Sequence, residues 1–90
     1  MEIGAHIAVK GMVQGVGFRY FVFSKANQLG LKGFVSNLAN GNVEIVVEGD
    51  RSLIEELIEE VKVGPRAASI RDVNVEWIKP EHHFHDFDVR

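Results

Sequence analysis

In the N-terminal part of the chain, the spacing of apolar residues changes from that of a strand to that of a helix. Apolar side chains occupy alternate positions from Ala5 to Val9, and this period of two predicts a strand with one buried face. From Phe18 the spacing becomes three and four residues, which predicts a helix with one apolar face, ending near Gly30. The apolar residues of this face are Phe18, Phe21, Val22, Ala26 and Leu29.

The middle of the chain predicts a hairpin. A second strand is expected at 31–38. A third is expected at 43–48, because alternate residues are apolar there, and it ends at Gly49. Between these strands, Asn40 and Gly41 form a strong hairpin signal because both residue types tolerate a positive φ.

The C-terminal half predicts a second helix and two more strands. Asp50 or Ser52 is expected to cap the helix, and Ser52 with Glu55 has the spacing of a capping box. A fourth strand is expected at 73–77, and a short fifth strand within 84–89. The apolar stripe of the helix comprises Leu53, Ile54, Leu57, Ile58 and Val61.

The order of these elements predicts the fold. Strand, helix and strand occur twice in succession, with one short strand added, which is the split βαβ arrangement of ferredoxin-like α+β domains. Right-handed crossovers place both helices on one face of the sheet. We therefore predict a single domain over residues 1–90, with an antiparallel sheet of order 4-1-3-2 and the fifth strand at the edge beside the second.

Composition narrows the function classes. The hydrophobic fraction of 46% and the charged fraction of 26% are those of a globular domain. The chain has no cysteine, which excludes disulfides, a thiol nucleophile and a cysteine-based zinc site. A net charge of −3 argues against nucleic acid as a partner. With neither a membrane span nor a signal-peptide pattern in the sequence, we expect a cytoplasmic monomer with no membrane partner.

The glycine-rich loop after the first strand is the first candidate site. It runs from Gln14 to Arg19, and its glycines allow several backbone N–H groups to turn inward. The unpaired N–H groups at the start of the helix add to an anion site, and Arg19 offers a planar pair of donors suited to phosphate. A tight strand-to-helix turn with a surface arginine explains the loop equally well. The loop has neither the Lys-Ser/Thr ending of a Walker loop nor GxGxxG spacing.

Asn37 is the second candidate. It lies near the carboxyl end of the second strand, which runs parallel to the first with one strand between them. The two ends are thus separated by about 10 Å at one edge of the sheet, so an anion held by the loop is within reach of Asn37. The alternative is that Asn37 only helps to form the turn ahead of the hairpin.

Two longer motifs resemble those of the acylphosphatase family. They are GMVQGVGFR at 11–19 and GFVSNLANGNVEIVVEG at 33–49, and the resemblance extends over nearly the whole chain. It implies that Arg19 binds the phosphate, that Asn37 orients the attacking water, and that the backbone of Gln14, Gly15, Val16, Gly17 and Phe18 forms the phosphate cradle. It also implies an enzyme that hydrolyses acyl phosphates to a carboxylate and inorganic phosphate, without a metal or other cofactor. Two residues depart from the family pattern. The family more often has a longer, frequently basic residue at the position of Ser36, and often has a tyrosine at the position of Arg90.

Other functions fit the sequence less well. A non-catalytic ferredoxin-like module that binds an anion or another ligand has no need of Arg19 and Asn37 together. The same domain also occurs inside larger carbamoyl-transfer maturation proteins, but at 90 residues we expect the stand-alone enzyme. An RNA-binding domain of this fold carries an aromatic pair that is lacking here. A metal site at His82, His83 and His85 with nearby aspartates is less consistent with the sequence than a polar loop before the last strand.

Overall fold

The computed structural model describes residues 1–90, which form five strands and two helices in the predicted order. In chain order the elements are β1 (Glu2–Met12), α1 (Phe18–Gln28), β2 (Lys32–Asn37), β3 (Val43–Asp50), α2 (Arg51–Val63), β4 (Ser69–Ile78) and β5 (Phe87–Val89). The strands form one sheet of order β4-β1-β3-β2-β5. This confirms the predicted ferredoxin-like α+β fold.

The pairing of the sheet determines which strand ends meet. β1 pairs antiparallel with both β3 and β4, and β2 pairs antiparallel with β3. β1 and β2 therefore run in the same direction on either side of β3, and both end at the same edge of the sheet. β5 lies beside β2, as expected, and pairs with it in parallel.

Several element ends differ from the sequence-based expectation. β1 and β4 are longer than expected. β1 already starts at Glu2, which pairs with Asp50 of β3, and its end stays paired with the start of β4 through an irregularity between Lys10 and Gly11. β5 begins only at Phe87, where its pairing with β2 starts opposite Gly33. Phe84 lies before the strand and packs against Phe34, with ring centroids 6.0 Å apart. In the hairpin, only Gly41 has a positive φ, of 92°.

Both helices pack on the same face of the sheet. Seventeen buried apolar residues form a single core cluster drawn from that sheet face and from the two helices. Phe18, at the start of α1, is almost fully buried and anchors the loop that precedes it to this core. Neither helix has the length and apolar character needed to cross a membrane.

The second helix begins with a cap at Asp50. Its carboxylate accepts hydrogen bonds from the Ser52 N–H at 3.0 Å and the Ser52 hydroxyl at 2.6 Å. The pKa of the Asp50 carboxyl is lowered to about 2. The hydrogen bond from the Ser52 hydroxyl is the largest cause, followed by the bonds from the Met1 amino group and the Ser52 N–H. Asp50, and not Ser52, is therefore the cap of the helix. Glu55 forms no capping box with Ser52 and instead pairs with Arg51 at 3.4 Å.

A buried carboxylate anchors the segment between β4 and β5. Glu48 of β3 is only 6% exposed, and its carboxylate accepts the N–H of Glu81 at 2.6 Å and of His82 at 3.1 Å. His82 is also the one non-glycine residue of the chain with a positive φ, of 60°. The anchored segment leads into β5 and, beyond it, to Arg90.

Candidate active site

The loop between β1 and α1 has the backbone conformation expected of an anion cradle. Gly15 and Gly17 have φ values of 75° and 78°, in the left-handed region that favours glycine. A Cβ atom at either position would meet no other atom within 4 Å. The requirement for glycine therefore comes from the backbone conformation and not from crowding.

The N–H groups of this loop are free to bind a ligand. Gly17 caps α1 without any side-chain hydrogen bond, and the first helical bond runs from the Phe21 N–H to the Gly17 carbonyl at 3.0 Å. No backbone hydrogen bond of the protein uses the N–H groups from Gly15 to Tyr20. These donors lie at the positive end of the helix dipole, so they form a site that favours an anion.

Arg19 is held at the rim of the cradle by a contact from the far end of the chain. Its Nη1 donates a hydrogen bond to the backbone carbonyl of Arg90 at 2.8 Å. A guanidinium has five N–H donors, so this bond restricts its orientation and leaves a pair of donors for a ligand. Arg90 is itself held in place, because its guanidinium lies 4.0 Å from the centre of the Phe34 ring.

Asn37 lies beside the cradle, as predicted. It is the last residue of β2, and it lines a hollow of about 190 Å³ together with Gly15, Gly17 and Arg19. Its Oδ1 is the one buried side-chain nitrogen or oxygen of the chain that has no hydrogen-bond partner in the protein. Buried acceptors normally have a partner, so this oxygen marks a place where a donor from outside the protein would bind.

Not all residues of the predicted cradle turn their side chains toward the hollow. The Gln14 side chain bonds to the hairpin that follows Asn37, with Nε2 donating to the carbonyls of Leu38 and Asn42 at 2.8 Å each. The Phe18 side chain is in the core. Of the predicted cradle residues, Gly15, Gly17, Phe18 and Arg19 line the hollow, whereas Gln14 and Val16 do not.

Tyr20 is a residue of the site that the sequence analysis missed. It lines the hollow beside Arg19, and its side chain is exposed and lies edge-on to Phe23, with ring centroids 6.5 Å apart. Its position next to Arg19 was the available signal, but the apolar face predicted for the first helix does not include it.

The histidines near the C-terminus do not form a cluster. No three His, Asp or Glu side chains in the chain come together in a group that could hold a metal ion. His83 lies 3.6 Å from Glu81, and the backbone of His82 is bound to Glu48. As expected from the sequence, this is a polar segment ahead of the last strand.

The comparison with known proteins agrees with the fold. The family model described as acylphosphatase matches residues 5–89. The chain belongs to the acylphosphatase family. It is 51% identical over 79 residues to an acylphosphatase of Trichormus variabilis, covering 88% of this chain and 78% of that protein.

Solved acylphosphatase structures superpose closely on this one. The acylphosphatase of Bacillus subtilis has a TM-score of 0.94 at 36% identity, covering 98% of both chains. A full-length HypF structure in the phosphate- and nucleotide-bound form also matches, with a TM-score of 0.93 and 35% identity, and the present chain covers 12% of it. The chain is therefore an enzyme that hydrolyses acyl phosphates.

Two departures from the family pattern can now be placed in this acylphosphatase. The Ser36 hydroxyl donates a hydrogen bond to the carbonyl of Asn37 at 3.2 Å, so the residue is adjacent to the hollow without lining it. Arg90 contacts Arg19 through a backbone carbonyl, which any residue at that position supplies. Its side chain covers Phe34, a contact that belongs to the packing of the last strand.

Proposed function

We propose that the loop from Gln14 to Phe18 and the side chain of Arg19 hold the phosphoryl group, and that Asn37 orients the water that attacks it. One observation carries this assignment. The buried Asn37 Oδ1 without a partner lines the same hollow as the glycines of the cradle and Arg19. A water molecule that donates to Oδ1 satisfies this acceptor and lies next to a phosphate in the cradle.

The chemistry of an acyl phosphate suits a site with so few groups. Its leaving group is a carboxylate, whose conjugate acid has a pKa of about 4, so the bond breaks without a general acid. Phosphoryl transfer passes through a loose transition state that needs positioning and charge stabilisation. The N–H cradle and Arg19 supply the charge stabilisation.

The proposed step forms a bond from the water oxygen to phosphorus and breaks the bond from phosphorus to the acyl oxygen. The acyl oxygen leaves with the electron pair as a carboxylate. An amide is too weak a base to take the proton of the water, so Asn37 only accepts a hydrogen bond through Oδ1. A phosphoryl oxygen of the substrate takes the proton, and inorganic phosphate is released.

The shape of the site supports a broad range of acyl groups. The groups identified around the hollow of about 190 Å³ all act on the phosphoryl end of the substrate, so they do not select the acyl part. We propose that the domain over 1–90 acts alone as a cytoplasmic monomer without a metal or other cofactor. We propose no nucleic-acid or membrane partner, and the net charge of −3 disfavours nucleic acid.

The test is an assay of the wild type and of Asn37→Ala on a simple aromatic acyl phosphate, with a chelator present. The wild type should hydrolyse the substrate in chelator. Loss of the oriented water should lower kcat of Asn37→Ala by about a hundredfold, while inhibition by inorganic phosphate changes by less than about threefold.

Ser36→Ala is the matched control, since Ser36 adjoins Asn37 but does not line the hollow, and it should keep the turnover of the wild type. Turnover that requires added metal would contradict the metal-free mechanism. Wild-type kcat in Asn37→Ala would show that Asn37 does not orient the water.

A further inference from the structure

The two halves of the site come from separate parts of the chain. The phosphate cradle follows β1, and Asn37 ends β2, with β3 between the two strands. A sheet places strands two positions apart at about 10 Å, but it does not align the groups beyond their ends. The spacing between the cradle and Asn37 must therefore be set by contacts outside the sheet.

The side chain of Gln14 makes such a contact. Its Nε2 donates to the carbonyls of Leu38 and Asn42, both at 2.8 Å. The Leu38 N–H also donates to the Asn42 carbonyl at 2.9 Å, and the Gly41 N–H to the Leu38 carbonyl at 3.1 Å. The amide of Gln14 thus bridges the two sides of the turn at 38–42, directly after Asn37.

From this geometry we infer that Gln14 is a positioning residue. Its side chain fixes the turn at 38–42, and with it Asn37, relative to the phosphate cradle. The inference rests on the proposed role of Asn37. The Asn37 Oδ1 has no hydrogen bond of its own within the protein, so its place depends on the backbone that Gln14 holds.

An amide suits this contact, and the two residues closest to glutamine in shape do not. Two acceptors at equal distance need two N–H donors on one atom, which a neutral glutamine supplies through Nε2. A methionine has a similar length but no donor. A glutamate at neutral pH presents only acceptors to the two carbonyls, and when protonated it regains a single donor.

The first experiment combines Gln14→Met with Asn37→Ala. Misplacement of the water should lower kcat of Gln14→Met by between about 10- and 100-fold, while the inhibition constant of inorganic phosphate changes by less than about threefold. In the Asn37→Ala background, where no oriented water remains to be misplaced, the same substitution should change kcat by less than about twofold.

A control and a second variant accompany this cycle. Asn40→Ala removes the bond from the Asn42 N–H to Asn40 Oδ1 in the same turn without touching Gln14, and it should keep the kcat of the wild type. Gln14→Glu should regain kcat relative to the wild type as the pH falls and the glutamate becomes protonated. The pH dependence of Gln14→Glu relative to the wild type tests the inference even if Gln14→Met does not fold.

Three results would overturn the inference. The first is that Gln14→Met loses phosphate affinity and kcat equally. The second is that its loss of kcat persists in the Asn37→Ala background. The third is that the ratio of kcat between Gln14→Glu and the wild type stays constant with pH. Wild-type kcat in the Asn37→Ala single variant is a different result, because it removes the proposed role of Asn37 and this inference with it.

Discussion

Arg19 offers the most direct test of how the site binds phosphate. We compare Arg19→Lys, which keeps the positive charge, with Arg19→Ala, which removes it. In the structure one Nη1 proton is used by the Arg90 carbonyl, and the remaining donors include a pair that can face two phosphoryl oxygens. The lysine ammonium acts as a point charge and cannot form such a pair of parallel bonds.

The expected losses follow from these hydrogen bonds. Each bond to a charged group contributes about 1.5–3 kcal/mol, so removing the pair costs about 3–6 kcal/mol. At about 1.4 kcal/mol per factor of ten, kcat/KM of Arg19→Ala should fall by between about 10²- and 10⁴-fold. Arg19→Lys keeps one of the two bonds, so its kcat/KM should fall by between about 10- and 150-fold.

The assay is the initial rate of acyl phosphate hydrolysis, with inorganic phosphate as a competitive inhibitor. Both kcat/KM and the inhibition constant of inorganic phosphate should worsen, because we propose that Arg19 contacts the phosphoryl group in the substrate and in the product. Lys25→Ala is the control for charge alone, since Lys25 is on the same helix but pairs with Glu60 at 3.3 Å, outside the hollow. A lysine variant as active as the wild type would refute the paired-donor argument.

Three further predictions concern stability. Glu48→Gln should lower the free energy of unfolding in urea by about 2 kcal/mol, because one of two buried bonds to a charged acceptor is lost; an unchanged urea midpoint would contradict this. Gly33→Ala places a Cβ against the Val46 carbonyl oxygen at φ 138°, so it should destabilise the fold by more than about 4 kcal/mol, measured in a thermal melt. At Gly41, with φ 92°, an added Cβ would meet open space, so Gly41→Ala should lower the free energy of unfolding by only about 1–2 kcal/mol. Equal losses of stability in the two variants would refute the steric explanation. The pKa of Asp50 is lowered from 3.8 to about 2, so its charge stabilises the fold above pH 3.8 and this stabilisation is lost as the pH falls toward 2. The difference in urea midpoint between wild type and Asp50→Asn should therefore shrink over that interval, and a constant difference would exclude this carboxylate as the cause.

The sequence alone determined the order of elements and the fold. Periods of two and of three to four residues locate apolar faces, and these faces became the single buried core. The glycines of the cradle were also identifiable, since a left-handed φ is a local property of the backbone that glycine adopts at low cost. Arg19 and Asn37 were placed at one edge because strand order follows from the handedness of crossovers.

Only the tertiary structure decided how the site is held together. Gln14 bonds to carbonyls 24 and 28 residues away, and Arg19 bonds to one 71 residues away. Nothing local in the sequence marks Glu48 as buried, yet it is covered by the segment before β5. Periodicity indicates which side of an element is buried, but a hydrogen bond needs two atoms at a defined distance. That distance is set only when all the elements have packed.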